Sequence, residues 1–205
     1  MAESGAGRLV LASASPYRRR MLEAAGLSFQ VVAAEIDETA LKRRLRAAAH
    51  KPGPDAIAES LAQAKAEAVS RIDPGAFVIG ADQVLALGDE LFDKPGDLAA
   101  ARAQLKRLRG KTHHLHTAAA VALGGKIVWS RVEDATLTMR CFSLEFLDRY
   151  LAQSGTGLCQ IVGAYEIEGA GIQLFERVEG DHFTIIGLPL ISLLAELRAR
   201  GVIAA

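Results

Sequence analysis

The chain has 205 residues, 50% of them hydrophobic, with 24 basic and 24 acidic side chains. Zero net charge excludes a sequence-independent grip on polymeric nucleic acid, which needs a basic excess on one face, but leaves room for a local cationic pocket around a small anion. Cys141 and Cys159 are too few for a disulfide framework and read as reduced thiols of a cytoplasmic protein; no apolar run approaches the ~20 residues that a bilayer demands.

Residues 1–7 read as a disordered N-terminal tail, ahead of one domain over 8–205. The apolar run 9–12 is too short for an export signal. It breaks into Ser13-Ala14-Ser15-Pro16-Tyr17-Arg18-Arg19-Arg20. Ser15 suits a helix N-cap and Pro16 the first helical position, where its missing N–H costs nothing. A strand that turns into a helix start directs free backbone N–H groups and the positive dipole end at one spot. With the hydroxyls of Ser13 and Ser15 and the charge of Arg18, this is a phosphate site in outline.

The first helix is expected to end near Gly26, followed by a strand over 29–33 and an acidic loop over 35–39. Residues 55–71 have helical spacing, with Ile57, Leu61, Ala64 and Ala68 on one stripe and Lys65 beside it. A buried strand over 77–81 delivers Asp82 at its carboxyl end, where sites gather in α/β sheets. Residues 84–87 and 91–92 form a hairpin, and Asp97 caps a helix that Gly110 stops after Leu108. Strands at 116–123, 126–131 and 135–140 read as a meander, followed by a helix over 143–153. The stretch 163–171 is glycine-rich loop or irregular strand; two further strands precede a last helix over 189–200. The order implies an α/β fold with an elongated mixed β-sheet flanked by helices, a single domain with two lobes around a cleft.

Several side chains could carry chemistry, each with a plainer alternative. Asp82 could be a base or a turn cap. Lys65 and Lys94 could line a cleft or lie on the surface. Asp37-Glu38 could hold Mg²⁺ or Mn²⁺ through hard oxygens, or cap a helix. Other patterns fail: Gly110-Lys111-Thr112 would need a glycine at Leu105 to be a P-loop, and His113, His114 and His116 have no further ligand at zinc spacing.

Taken in order, Leu11-Ala12-Ser13-Ala14-Ser15-Pro16-Tyr17-Arg18-Arg19, Ile36-Asp37-Glu38-Thr39, Ala62-Gln63-Ala64-Lys65-Ala66, Ile79-Gly80-Ala81-Asp82-Gln83-Val84, Asp93-Lys94-Pro95, Phe175-Glu176-Arg177-Val178-Glu179-Gly180 and Gly187-Leu188-Pro189-Leu190 resemble the Maf family of nucleotide pyrophosphatases over nearly the whole chain. The resemblance implies a Maf/inosine-triphosphate-pyrophosphatase-like fold. It also implies hydrolysis of a nucleoside triphosphate between its α- and β-phosphates, with a divalent metal. Carried over by motif, Ser13 and Arg18 match phosphate-binding positions, beside the hydroxyl of Ser15, and Lys65 and Lys94 match cleft lysines. Glu38 matches a catalytic or metal-associated carboxylate, and Asp82 the proton acceptor, also near the metal. The resemblance further implies a homodimer.

Two departures bear on the base. Tyr17 stands where the family often has arginine, and Gln83 and Glu168 stand where its pyrimidine branch has threonine and glutamine. Tyr17, Gln83 and Glu168 resemble the branch acting on 7-methyl-GTP. Methylated guanine is cationic and stacks on an aromatic face, here Tyr17 or Tyr165, and a carboxylate at Glu168 can accept from its N1–H and N2–H₂. The alternatives are a dTTP/UTP pyrophosphatase of the same family and a nucleotide-binding regulator of cell division that inhibits septum formation.

Overall fold

The computed structural model describes residues 7–48 and 50–204, so the tail expected over residues 1–7 lies, except for Gly7, outside the described residues. In chain order the elements are β1 (Leu9–Leu11), α1 (Pro16–Ala24), β2 (Gln30–Val31), α2 (Glu38–Arg46), α3 (Pro54–Ile72), β3 (Phe77–Leu87), β4 (Glu90–Phe92), α4 (Leu98–Leu108), β5 (Thr112–Leu123), β6 (Lys126–Met139), α5 (Leu144–Ser154), β7 (Phe175–Glu179), α6 (His182–Ile186) and α7 (Leu190–Ala199). Short 3₁₀ turns occupy the chain between α5 and β7. The described strands form one mixed sheet in the order β2-β1-β3-β5-β6-β7, with β4 paired to β3. No described helix is long and apolar enough to cross a membrane.

The chain divides into two compact units. The first comprises Met1–Gln83, Thr117–Glu133 and Asp181–Ala205. Here β1 runs parallel to β2 and β3, with Leu9 opposite Phe77 and Leu11 opposite Ile79. Alternation along each strand sorts side chains between two faces. Leu9, Leu11, Ile79 and Ala81 pack with Met21 and Leu22 of α1 and Leu193 and Leu197 of α7. Val10, Ala12 and Val78 pack on the other side with Val69 of α3. Each fully buried leucine or isoleucine here contributes about 1.5–3 kcal/mol.

Helix α3 lies on β3 through its smallest residues. A Cβ on Gly80 would stand 2.1 Å from the Ala62 carbonyl oxygen and 2.6 Å from the Ala66 nitrogen, so backbone meets backbone there. That contact rotates the buried stripe of α3 from the expected one. Ala64 and Ala68 are only half-buried, whereas Ala58, Ala62, Lys65 and Ala66 face inward. Lys65 is in the stripe, not beside it.

The second unit comprises Val84–His116 and Asp134–Gly180. Its core holds Leu105, Leu108, Leu115, Leu137, Phe142 and Leu147, all essentially inaccessible. Asp97 caps α4 (Ala100 N to Oδ1, 2.7 Å) and Ser143 caps α5 (Phe146 N to Oγ, 3.1 Å). Strand β7 runs antiparallel to β6, with Leu137 opposite Val178.

Four sequence readings change. Strand β3 does not stop at Ala81 but runs through Asp82 to Leu87. Strand β6 is unbroken across residues 132–134, because the polar Glu133 is met by the hydroxyls of Thr184 and Ser192. Helix α2 follows directly on Asp37 where an acidic loop was expected; it buries no residue, so no apolar stripe announced it. The second of the two expected late strands is α6, because Asp181 caps it through Thr184 N (2.8 Å) and overrides its β-branched composition.

Candidate active site

The site residues of the first unit begin where β1 ends. Ala12 N still donates to the Ile79 carbonyl (2.7 Å), after which the chain leaves the sheet and Ser15 and Pro16 open α1 as the sequence implies. The Ser15 hydroxyl caps the helix through a long 3.5 Å contact from Arg18 N. Ser13 is buried, and its Oγ accepts from Ser15 N (3.3 Å) and from Arg18 Nη1 (3.1 Å). With both lone pairs engaged, the serine proton is the one left to donate. Arg18 Nε donates to the Gly187 carbonyl at 2.8 Å. Burial pushes the Arg18 pKa down, and the negative charges of Asp82 and Glu38 oppose that shift. An arginine stays charged through such changes at neutral pH.

Asp82 lies on β3 three residues past Ile79, the last residue opposite β1. It stands beyond the carboxyl end of the parallel pairing, though not at the end of its own strand. Gly80, two residues earlier on the same face, brings α3 close enough for Lys65 to reach it. Lys65 Nζ is 2.6 Å from Asp82 Oδ1 and 2.9 Å from Glu38 Oε1. The Lys65 and Asp82 side chains are about one-tenth exposed (10% and 9%), whereas Glu38 is 44% exposed. Asp37 is occupied as the α2 cap, accepting from Ala40 N at 2.8 Å, so Glu38 is the carboxylate of the pair that faces the lysine.

Asp82 and Glu38 therefore flank one ammonium and present hard oxygens. Among the described residues no group of three or more histidine, cysteine, aspartate or glutamate side chains gathers for a metal ion. That donor set fits Mg²⁺ or Mn²⁺, which take one or two carboxylates and share the substrate's phosphates, and does not fit zinc. His116 is paired with Asp134 (2.7 Å) and His114 with Thr136 (3.1 Å).

The base-side candidates separate. Gln83 Nε2 donates among three acceptors, Thr117 Oγ1 (2.8 Å) and the carbonyls of Thr184 and Ile185 (3.1 Å each). Its amide nitrogen is fully engaged, which leaves its carbonyl oxygen as the group able to accept from a ligand. Tyr17 is half-buried, with the Arg20 guanidinium 4.7 Å from its ring centroid. Tyr165 is not a stacking platform. It is buried, edge-on to Phe175 with centroids 4.9 Å apart, and its hydroxyl bonds His113 Nε2 at 2.9 Å. Lys94, exposed between β4 and α4, and Glu168, exposed between 3₁₀ turns, belong to the second unit.

The structure adds groups that the sequence did not single out. Thr117, Thr184 and Glu133 form one hydrogen-bonded series with Gln83, and Gly187 supplies the carbonyl for Arg18. A lone buried hydroxyl in the alanine-rich run after His116 was the available signal for Thr117.

A sequence model of the Maf-like protein family matches residues 8–200. The chain is 50% identical over 196 residues to a 7-methyl-GTP pyrophosphatase of Rhizobium johnstonii, covering 96% of this chain and 98% of the relative. It is 50% identical over 191 residues to a 7-methyl-GTP pyrophosphatase of Brucella abortus (93% and 95% covered). It is 52% identical over 192 residues to a nucleoside triphosphate pyrophosphatase of Paramagnetospirillum magneticum (94% and 98% covered). The match to the family model and the near full-length likeness to these relatives lead to one conclusion: the chain belongs to the Maf family.

Proposed function

We propose that this protein is a nucleoside triphosphate pyrophosphatase that cleaves 7-methyl-GTP to its monophosphate and pyrophosphate, acting on the nucleotide pool of the cytoplasm. The observation that carries the reading is the buried Asp82–Lys65 ion pair, extended by the more open Glu38, in the unit that also holds the Arg18–Ser13 pair. Relatives about half identical to this chain bear the names 7-methyl-GTP pyrophosphatase and nucleoside triphosphate pyrophosphatase, which supports the reaction and its base.

The residues divide the work. Arg18, held by Ser13 and Gly187, presents fixed positive charge to phosphate oxygens, and Ser13 Oγ has a proton to give them. Asp82 accepts the proton of the attacking water, its carboxylate oriented by Lys65. Lys65 and Lys94 counter the charge that grows on the leaving pyrophosphate. A divalent cation, held by Asp82 and Glu38 when bound, supplies further positive charge there and acidifies water. Glu38, more open than Asp82, is the more accessible of the two carboxylates that would hold it. Glu168 accepts from N1–H and N2–H₂ of the base, and the aromatic ring of Tyr17 stacks on the cationic purine.

The test is pyrophosphate release from 7-methyl-GTP, UTP, dTTP and ITP, with Mg²⁺ or Mn²⁺ and with chelator. The expected result is the highest kcat/KM on 7-methyl-GTP, abolished by chelation. Glu168→Gln should lower the preference over UTP about tenfold, the value of one charged hydrogen bond. Preference for UTP or dTTP would move the protein to the pyrimidine branch. Binding without release in every arm would leave only a nucleotide-binding regulator.

A further inference from the structure

We propose that Thr117 is a positioning residue for the phosphate grip, fixing the rotamer of Arg18 from inside the core through the Thr184 carbonyl and the turn at Gly187. The inference rests on the reading of Arg18 as the residue that grips phosphate.

Thr117 opens the fully buried run of β5 and is itself inaccessible. A hydroxyl at such a position is costly unless paired, and valine would fill the same space without that cost. The hydroxyl is fully used. Thr117 Oγ1 accepts from Gln83 Nε2 (2.8 Å) and donates to the Thr184 carbonyl (2.9 Å). That carbonyl is a hub, because Gln83 Nε2 and Gly187 N also donate to it, each at 3.1 Å.

Helix α6 has five residues, fewer than a helix needs to hold itself. Side chains hold it instead. Asp181 accepts from Thr184 N, Glu133 accepts from Thr184 Oγ1 (2.9 Å), and Thr117 and Gln83 donate to the carbonyls of its last turn. Immediately after it, Gly187 has φ +128°, a backbone that side-chain-bearing residues rarely adopt. The turn presents the Gly187 carbonyl to Arg18 Nε. Arginine has a long stem with high rotamer entropy, and Ser13 anchors only one end of its guanidinium fork. The Gly187 carbonyl is the second anchor, and its position is set by the hub that Thr117 completes. Loss of the hydroxyl should therefore loosen Arg18 while leaving Glu168 and Tyr17 untouched, and Gln83 Nε2 keeps the Thr184 and Ile185 carbonyls as acceptors.

The experiment uses the full chain, with inorganic pyrophosphate as inhibitor and 7-methyl-GTP and UTP as substrates. Thr117→Val should raise the pyrophosphate Ki and both KM values at least fivefold, alike for the two bases, with kcat changed less. Thr117→Ser, which restores the hydroxyl, should return them to within twofold of wild type. In an Arg18→Ala background, Thr117→Val should add nothing further. A smaller change in the valine variant, no rescue by serine, or the same loss in the Arg18→Ala background would overturn the inference. If the valine variant does not fold, Thr117→Ala must show the same pattern. Should Arg18→Ala itself leave pyrophosphate inhibition unchanged, the phosphate-grip reading fails first, and this inference with it.

Discussion

In the first unit Lys65 and Asp82 are taken out of water as a charged pair, with Glu38 and Arg18 completing an alternation of negative and positive groups. In the second unit His113 and Tyr165 are buried as deeply, hydrogen-bonded to each other, and neutral. Burial first, and then the nearby His114, holds the His113 pKa down to about 4; burial first, and then Tyr150, pushes that of Tyr165 up. One region answers desolvation by pairing charges and the other by discarding them. A buried ion pair seldom stabilises a fold more than well-packed apolar residues of the same volume would. The first cluster is therefore poorly explained by stability and well explained by chemistry, whereas the second is explained by packing alone.

The comparison breaks most sharply at Asp82. Asp82→Asn keeps the volume and removes the carboxylate proposed to accept the proton, so kcat should fall about 10³-fold while the fold survives, because Lys65 retains Glu38. Turnover within tenfold of wild type would return the first cluster to a structural role. Next in size is Lys65→Met, which leaves the Asp82 carboxylate buried without its cation. It should cost about 3–5 kcal/mol in urea unfolding and about 10²-fold in kcat. Adding Asp82→Asn to it should recover part of the lost stability and none of the activity, since a matched apolar or neutral pair is tolerated better than half an ion pair. A double variant no more stable than Lys65→Met would show that the pair is not coupled.

Gly80 sharpens the contrast because it places the ionic cluster without belonging to it. Its absent Cβ would fall on backbone atoms of α3, which cannot yield as a side chain could. Gly80→Ala should cost about 2 kcal/mol by pushing α3 off β3. It should also lower kcat, because the Lys65–Asp82 contact of 2.6 Å depends on that approach. A melting temperature within a degree or two of wild type would mean that α3 can shift freely.

The same contrast separates what could be read along the chain from what could not. The opening of α1 was legible because a cap and a first-turn proline act within four residues, and Asp97 was legible as a cap on the same ground. Ser13 and Arg18 were legible as site candidates from the same strand-to-helix turn and Asp82 from the end of an apolar run, whereas the roles of Lys65 and Asp82 were legible only as motif. Their meeting needs Gly80 to admit α3, and a glycine in a strand signals a close approach without saying what approaches. Helix α2 escaped because it turns no apolar face inward. Strand β6 was cut in two on paper because Glu133 looks like a turn residue until Thr184 and Ser192, some fifty to sixty residues away, supply its hydrogen bonds. Tyr165 looked like a stacking platform because nothing local reveals that His113 and Phe175 close over it.

The neutral cluster makes the smallest prediction, and its sign follows from linkage. Unfolded histidine titrates near 6.5, whereas His113 in the fold stays neutral until about pH 4. Above pH 6.5 neither state takes the proton and the contribution to stability is complete. Between about 6.5 and 4 the unfolded chain binds a proton that the folded chain refuses, so stability should decline on acidification by about 1 kcal/mol per pH unit. His113→Gln keeps a group that can reach the Tyr165 hydroxyl but does not titrate. Its urea midpoint should be flatter than wild type over that window, with the pH profile of kcat unmoved. If the variant kept the full acid slope, the burial of His113 would not be what drives it. If the kcat profile moved with it, the two clusters would be coupled, and the division between a charged site and a neutral brace would fail.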